Sequence, residues 1–166
     1  MIKKFIPLVI MFVLIFGSIS SFCFAKSPIP TILKQLDTIA EARSFKTLDD
    51  LFYQCAFTKK HHPGGWDYVE SSAAKNKHPY FSNIRITVTK FGSFNDVALE
   101  VRPGVMIRKE AIIKHYGKKY STVPMAPENF RIQSISYLPN KKTQLIFGFV
   151  QSGSSEILAE ATIRKY

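Results

Sequence analysis

The sequence has little cysteine and few acidic side chains. Two cysteines among 166 residues exclude a disulfide-stapled scaffold and a four-ligand zinc site. Twelve acidic residues against 23 lysines and arginines give a formal charge of +11, which indicates either anionic partners or only a soluble surface of solvated charges. Hydrophobic residues make up 46% and charged residues 21%, which excludes wholesale disorder and a collagen-like fibre. The length predicts one domain, or two small similar modules that share a sheet.

Motifs of the common enzyme classes are also missing. The sequence contains no G-x-S-x-G, no phosphate loop and no dinucleotide fingerprint, and no pair of carboxylates stands out. His61 and His62 are surrounded by lysines that would repel a cation, so we predict that they and His78 are solvated loop histidines. His115 falls at a helix C-terminus, where positive charge is stabilising. We therefore predict no catalytic residue, no metal, no cofactor and no enzyme activity.

Residues 1–25 have the pattern of an export signal. Two lysines precede an almost wholly apolar run over residues 5–16, and small residues then lead to Ala25. This pattern predicts cleavage after Ala25 and a periplasmic or secreted mature protein; the alternative is a retained membrane anchor. Cys23 does not follow a small residue, so we do not expect a lipid anchor. No second long apolar run follows, so we expect no stable membrane insertion after cleavage.

After cleavage, Cys55 is the only cysteine left. It lies seven residues after Leu48 in an apolar pattern of helical spacing, which predicts a buried, inert thiol. The alternatives are pairing with another chain or a reactive thiol activated by one of the histidines. A reactive thiol would favour an electropositive, partly exposed position.

The mature chain has an internal repeat of helix and strands. Apolar spacing predicts helices over about 32–40, 47–55 and 105–116, and strands around 66–70, 84–89, 97–102, 130–133, 145–149 and 157–163. The stretches 58–65 and 71–80 are predicted loops. The pattern predicts an α+β fold with short helices on one face of an antiparallel sheet, built from αβββ modules over 26–103 and 104–166. Tandem duplication and a chance αβββαβββ order both explain it.

Strand alternation predicts which side chains face away from the helices. Ile84, Ile86 and Val88 are apolar, whereas the intervening residues are polar. Arginine and aromatic side chains are enriched among the residues that dominate protein interfaces. The residues that we predict to bind a partner are Trp66, Tyr68, Arg85, Thr87, Glu100, Arg102, Arg131 and Tyr137. For Trp66, a place at the end of the core is an equal alternative.

The segment Gly104–Gly117, a glycine-bounded helical unit, resembles a unit of small bacterial envelope domains. These are the β-lactamase-inhibitor-protein-like and SmpA/OmlA-like groups. The inhibitor-protein group is a tandem repeat whose concave sheet grips another protein. The first module has no comparable glycine after Cys55. The resemblance implies a binding role, and it carries over no particular residue.

These features together predict an exported protein-binding domain. Given the resemblance, we expect an inhibitor or immunity protein that blocks a toxin or a cell-wall hydrolase. Its partner would be an acidic envelope or secreted protein, and not nucleic acid, because the chain is basic and exported. The alternative is a structural envelope module that binds peptidoglycan or anionic lipid. A Cys55-dependent enzyme is a third, less favoured hypothesis.

Overall fold

The computed structural model describes residues 27–53, 55–71, 77–91, 93–123 and 132–166. The predicted export signal with Cys23, and the predicted partner-binding residue Arg131, lie outside the described residues. The helices are α1 (Ile29–Glu41), α2 (Phe45–Asp49) and α3 (Lys109–Tyr116). The strands are β1 (Phe57–His62), β2 (Gly65–Glu70), β3 (Phe81–Thr89), β4 (Phe94–Val101), β5 (Ser121–Val123), β6 (Ile132–Asn140), β7 (Thr143–Ser152) and β8 (Ser155–Lys165).

The eight strands of the described residues form one antiparallel sheet, in the order β1-β2-β3-β4-β8-β7-β6-β5. Strands β1 to β4 form one meander and β5 to β8 a second, and the two meet where β4 pairs with β8. The fold is therefore α+β, as predicted, with the sheet as its largest part. Each half has four strands where the sequence pattern predicted three.

The two additional strands, β1 and β5, are the edges of the sheet. Strand β1 overlaps the predicted loop 58–65 over residues 58–62, and its four central residues, 58–61, are exposed. Edge strands often carry lysines, which hinder pairing with another chain. Such a strand lacks the apolar alternation by which strands are recognised, which is why the pattern predicted a loop here.

One face of the sheet packs against the helices. Ile84, Ile86 and Val88 are buried on this face, which confirms the predicted alternation of β3. Helix α1 adds Ile32, Leu36 and Ile39 to the same core. Helix α2 contacts the first meander through Phe45, and α3 contacts the second through Tyr116.

The helix ends differ from the predicted ones. Helix α2 covers 45–49 instead of 47–55. It begins at Phe45 because the preceding residue, Ser44, has an extended backbone. Helix α3 begins at Lys109, after an extended Arg108, instead of at residue 105. Its predicted end is confirmed: Gly117 has φ 95°, a conformation that favours glycine, and its N–H bonds the carbonyl of Ile113.

Candidate binding surface

The face of the sheet opposite the helices carries a row of polar side chains. Directly paired residues in antiparallel strands point to the same face. The row across five neighbouring strands consists of Asp67, Thr87, Asp96, Arg164 and Gln144. The Thr87 hydroxyl donates to Asp67 Oδ1 at 2.8 Å. Gln144 Nε2 donates to the Ser136 hydroxyl at 2.9 Å. These bonds orient polar groups on a rigid surface, which we name the open face.

A second row on the open face contains small side chains. Arg85 pairs with Ala98, Ala98 pairs with Thr162, and Thr162 pairs with Ile146. Ala98, Thr162 and Ile146 are half-buried, whereas Arg85 is exposed. Side chains at the centre of the open face therefore project little from the sheet. A partner could approach the backbone of these strands closely.

Arg85 and Arg164 are the prominent cations of the open face. Both are exposed, and among the described residues neither has an ion-pair partner within 4.0 Å. They lie two strands apart, on β3 and β8, which places their Cα atoms about 12 Å from each other. Asp96 lies between them; burial raises the pKa of its carboxyl, against the opposing effect of the two arginines. Both guanidinium groups therefore act electrostatically on the Asp96 carboxyl without a close ion pair to it.

The other half of the open face is acidic. Glu100 is exposed and pairs with Glu160 of β8. Asn83, which has φ 48° at an irregularity in β3, donates from Nδ2 to Glu100 Oε2 at 2.5 Å. The carboxylate is therefore held in one orientation. Asn83 was not among the predicted site residues, although a polar residue that interrupts the apolar alternation of β3 is a sequence signal for such an irregularity.

Three of the predicted partner-binding residues lie on the open face. They are Arg85, Thr87 and Glu100. Their side chains point away from the helices because apolar and polar residues alternate along β3 and β4. Their role in binding stays a prediction.

Tyr137 does not lie on the open face, contrary to the prediction. It is 4% exposed, and its ring contacts Phe147 on the face that packs against the helices. Its hydroxyl donates to the carbonyl of Gly117 at 2.9 Å. The reason is the register of β6, in which Tyr137 pairs with the core residue Leu145.

Trp66 and Tyr68 also point to the helix-packed side. They pair with Val88 and Ile86, two core residues of β3. The ring of Tyr68 stacks on Phe45 of α2, with centroids 4.2 Å apart. Trp66 is half-buried near the sheet edge, with the ammonium of Lys59 3.8 Å from its ring centroid. The Trp66 ring also contacts His61 of the edge strand β1, with centroids 4.6 Å apart, and its role in binding stays a prediction.

Arg102 and His78 have structural contacts that the sequence did not predict. Arg102 is half-buried, and its Nε donates to the carbonyl of His78. His78 is 4% exposed, so the prediction of a solvated loop histidine is wrong. Its Nδ1 accepts bonds from the backbone N–H groups of Tyr80 and Phe81, at 3.3 and 3.2 Å. Burial, together with Arg102, lowers the pKa of His78 to about 4.

Cys55 lies close to these groups, half-buried against the core. Burial raises the pKa of its thiol, the charge of Glu70 raises it further, and a backbone hydrogen bond from His78 and the charge of Arg102 oppose this. Nδ1 of His78 accepts two backbone hydrogen bonds, so this nitrogen is not free to take a proton from the thiol. The geometry therefore does not favour a cysteine–histidine nucleophile.

His115, at the end of α3, pairs with Asp37 of α1 at 2.8 Å and so connects two helices. No group of three or more histidine, cysteine or acidic side chains in the described part of the chain could hold a metal. The same described residues include no helix that is long and apolar enough to cross a membrane. No family model, no curated protein and no solved structure matches the chain.

Proposed function

We propose that this protein is an exported protein-binding domain that uses the open face to cover the functional cleft of another envelope or secreted protein. In this proposal it acts as an inhibitor or immunity protein against a toxin or a cell-wall hydrolase. The observation that supports binding most directly is the pair of exposed arginines, Arg85 and Arg164, which have no ion-pair partner within 4.0 Å in the described part of the chain.

The open face suits binding because it is ordered before the partner arrives. Its strands belong to one continuous sheet, and Asn83 and Thr87 already hold their acidic neighbours by hydrogen bonds. A preformed surface loses little conformational entropy on association, so more of the contact energy contributes to affinity. Arginine adds to this because its planar group can bind a carboxylate through two hydrogen bonds.

The charge pattern of the open face supports a partner of complementary charge. Arg85 and Arg164 call for carboxylates on the partner, about 12 Å apart. Glu100, at the opposite end, calls for a basic or hydrogen-bond-donating group. The net positive charge of the chain would accelerate encounter with an acidic partner. Blocking then follows from simple coverage of a cleft and requires no chemical step.

Affinity capture tests this proposal. The protein without its predicted export signal, residues 26–166, serves as bait for envelope and secreted fractions of the source cells, at low and moderate salt. We expect one stoichiometric protein that survives moderate salt, and we expect its activity to fall when the bait is present. Capture of sacculi or lipid alone would contradict the proposal.

The double variant Arg85→Ala/Arg164→Ala then tests the open face itself. We expect its Kd for the captured protein to rise about 30-fold or more for each arginine, on the order of 700-fold for both, because alanine scanning finds that arginine hot spots cost about 2 kcal/mol or more each. The matched control is Lys34→Ala/Lys46→Ala, which removes the same charge from exposed sites on the helices. Equal affinities of the arginine variant and the wild type would exclude the open face as the binding surface.

A further inference from the structure

One end of the sheet gathers positive charge from separate parts of the chain. The pairs Asp96–Arg164 and Thr143–Lys165 bring the β3–β4 turn, the β6–β7 turn and the end of β8 to the same end. The connection between α1 and α2 joins them at a cavity of about 910 Å³. The cations here are Arg43, Lys90, Lys141, Lys142 and Lys165, and we name this region the basic end. Glu41 is the acidic side chain in the lining of the cavity.

Lys165 anchors the basic end to the fold. Its ammonium donates to the carbonyl of Ala40, in the last turn of α1, and to the Thr143 hydroxyl at 3.1 Å. The negative end of the α1 dipole favours a cation at this position. Burial lowers the pKa of Lys165, and the nearby Arg43 adds to this effect. The other four cations are exposed, so they are free to meet a ligand.

The basic end also exposes large apolar side chains. Phe91 is 95% exposed, Leu138 is 69% exposed and Tyr166 is 70% exposed. Phe91 lies in a turn closed by a bond from the Thr89 N–H to the Ser93 carbonyl at 2.7 Å. Leu138 lies at a register shift just before the β6–β7 turn.

We propose that the basic end binds the surface of a bilayer that contains anionic phospholipids. Lys90, Lys141 and Lys142 face the phosphate groups, while Phe91 and Leu138 enter the boundary between headgroups and acyl chains. Cations alone would suit any polyanion, but the apolar side chains beside them need an apolar phase, which a glycan does not offer. Exposed apolar groups next to a basic patch are typical of proteins that bind membrane surfaces.

This inference does not depend on the proposed function. The turns that contact the lipid lie beyond the ends of the strands. On the open face, Arg85 and Glu100 lie further from this end, whereas Arg164 is next to Lys165 and lies at this end. A protein held at the membrane by the basic end would keep Arg85 and Glu100 accessible. Membrane contact would also concentrate it close to envelope partners.

Co-sedimentation with lipid vesicles tests the proposal. The processed protein is mixed with vesicles of phosphatidylcholine alone and with vesicles that also contain phosphatidylglycerol. We expect binding to the anionic vesicles that falls with added salt. The variant Lys141→Glu/Lys142→Glu should lower the partition coefficient at least about 30-fold, since each basic residue near an anionic surface contributes about fivefold.

A second variant separates apolar contact from charge. Phe91→Ser/Leu138→Ser keeps every cation, and we expect roughly tenfold weaker binding to anionic vesicles because the apolar area that enters the bilayer is lost. The control Lys34→Glu/Lys77→Glu makes the same charge change at exposed positions away from the basic end and should bind like the wild type. All variants begin at the same residue. Any lipid binding by the N-terminal segment therefore affects every partition coefficient equally. Circular dichroism and Tm show whether each variant is folded.

Three results would overturn the membrane proposal. The first is that Lys141→Glu/Lys142→Glu or Phe91→Ser/Leu138→Ser is folded and still binds anionic vesicles as strongly as the wild type. The second is an equal loss in the Lys34/Lys77 control, which would indicate a general charge effect. The third is binding to sacculi or to an acidic protein, but not to anionic vesicles. None of these results would affect the affinity test of Arg85 and Arg164, so the two proposals fail independently.

Discussion

Arg102 and His78, which are 24 residues apart in sequence, are joined by a hydrogen bond of 2.6 Å from the Arg102 Nε to the His78 carbonyl. The backbone N–H of Arg102 also donates to the carbonyl of Tyr80 at 2.9 Å. The end of β4 thus holds the segment that leads into β3. Arg102 therefore has a structural role in the fold. Its type and its alternating position in the predicted strand 97–102 predicted a contact with a partner, and that role stays a prediction.

Replacing Arg102 with alanine should therefore destabilise the fold. We expect Arg102→Ala to lower the free energy of unfolding by about 2 kcal/mol, because a charge-assisted hydrogen bond to a buried carbonyl is lost. Arg85→Ala, on the open face, should change it by less than about 0.5 kcal/mol. Urea unfolding followed by circular dichroism measures both values. A stability of Arg102→Ala equal to that of the wild type would mean that this bond contributes nothing.

His78 should make the stability depend on pH. Its folded pKa is about 4, whereas an unfolded histidine titrates near about 6.5. The unfolded chain therefore binds more protons between these values, and stability is full above about pH 6.5 and falls as the pH decreases toward about 4. We expect a loss on the order of 3 kcal/mol over this range, measured by urea unfolding at a series of pH values.

The matched variant for this experiment is His78→Asn. The asparagine Oδ1 can accept the same backbone N–H bonds as Nδ1, but the side chain does not titrate in this range. We expect the pH dependence between 4 and 6.5 to flatten while the fold is kept. If the wild type and His78→Asn lose stability in parallel, another group is responsible for the effect.

Tyr137 should contribute to stability and not to partner binding. Tyr137→Phe keeps the ring against Phe147 and removes only the hydroxyl that bonds the Gly117 carbonyl. We expect a loss of about 1 kcal/mol in the free energy of unfolding. The Kd for the captured protein should stay at the wild-type value. A weaker Kd with unchanged stability would restore Tyr137 to the binding surface.

Cys55 should react slowly in the folded protein. Its thiol is half-buried and its pKa is raised, chiefly by burial, so little thiolate is present at neutral pH. We expect alkylation by iodoacetamide to be at least about tenfold slower than in the unfolded chain. Mass spectrometry of the Cys55 peptide measures both rates and separates this site from Cys23. Faster alkylation in the folded state would favour the reactive-thiol hypothesis instead.

Much of the sheet could be predicted because its central strands alternate. Ile86 and Val97 are apolar between polar neighbours, and a period of two residues requires them to share the buried face. The edge strands β1 and β5 have no such pattern. They lie at the sheet edges, and most of their side chains are exposed to water, so apolar residues do not alternate along them. The predicted loop 58–65 was wrong for this reason.

For the candidate surface, the sequence predicted the direction of side chains on the central strands but not the contacts between distant segments. Alternation alone determined that Arg85, Thr87 and Glu100 point away from the core, because their apolar neighbours point into it. The burial of His78 and the bond of Arg102 to its carbonyl depend on the approach of segments that are distant in sequence. Composition carries no information on such an approach, since it arises only when the strands pair.

The sequence by itself determined the charge, the scarcity of cysteine, the α+β class and the direction of the central side chains. These are local properties, decided by residue type and by spacings of two to four residues. Only the tertiary structure decided the strand order, with β4 beside β8. It also brought Lys90, Lys141 and Arg43 to one end of the sheet. Strand order depends on which meanders pack together, and that is a property of the whole chain.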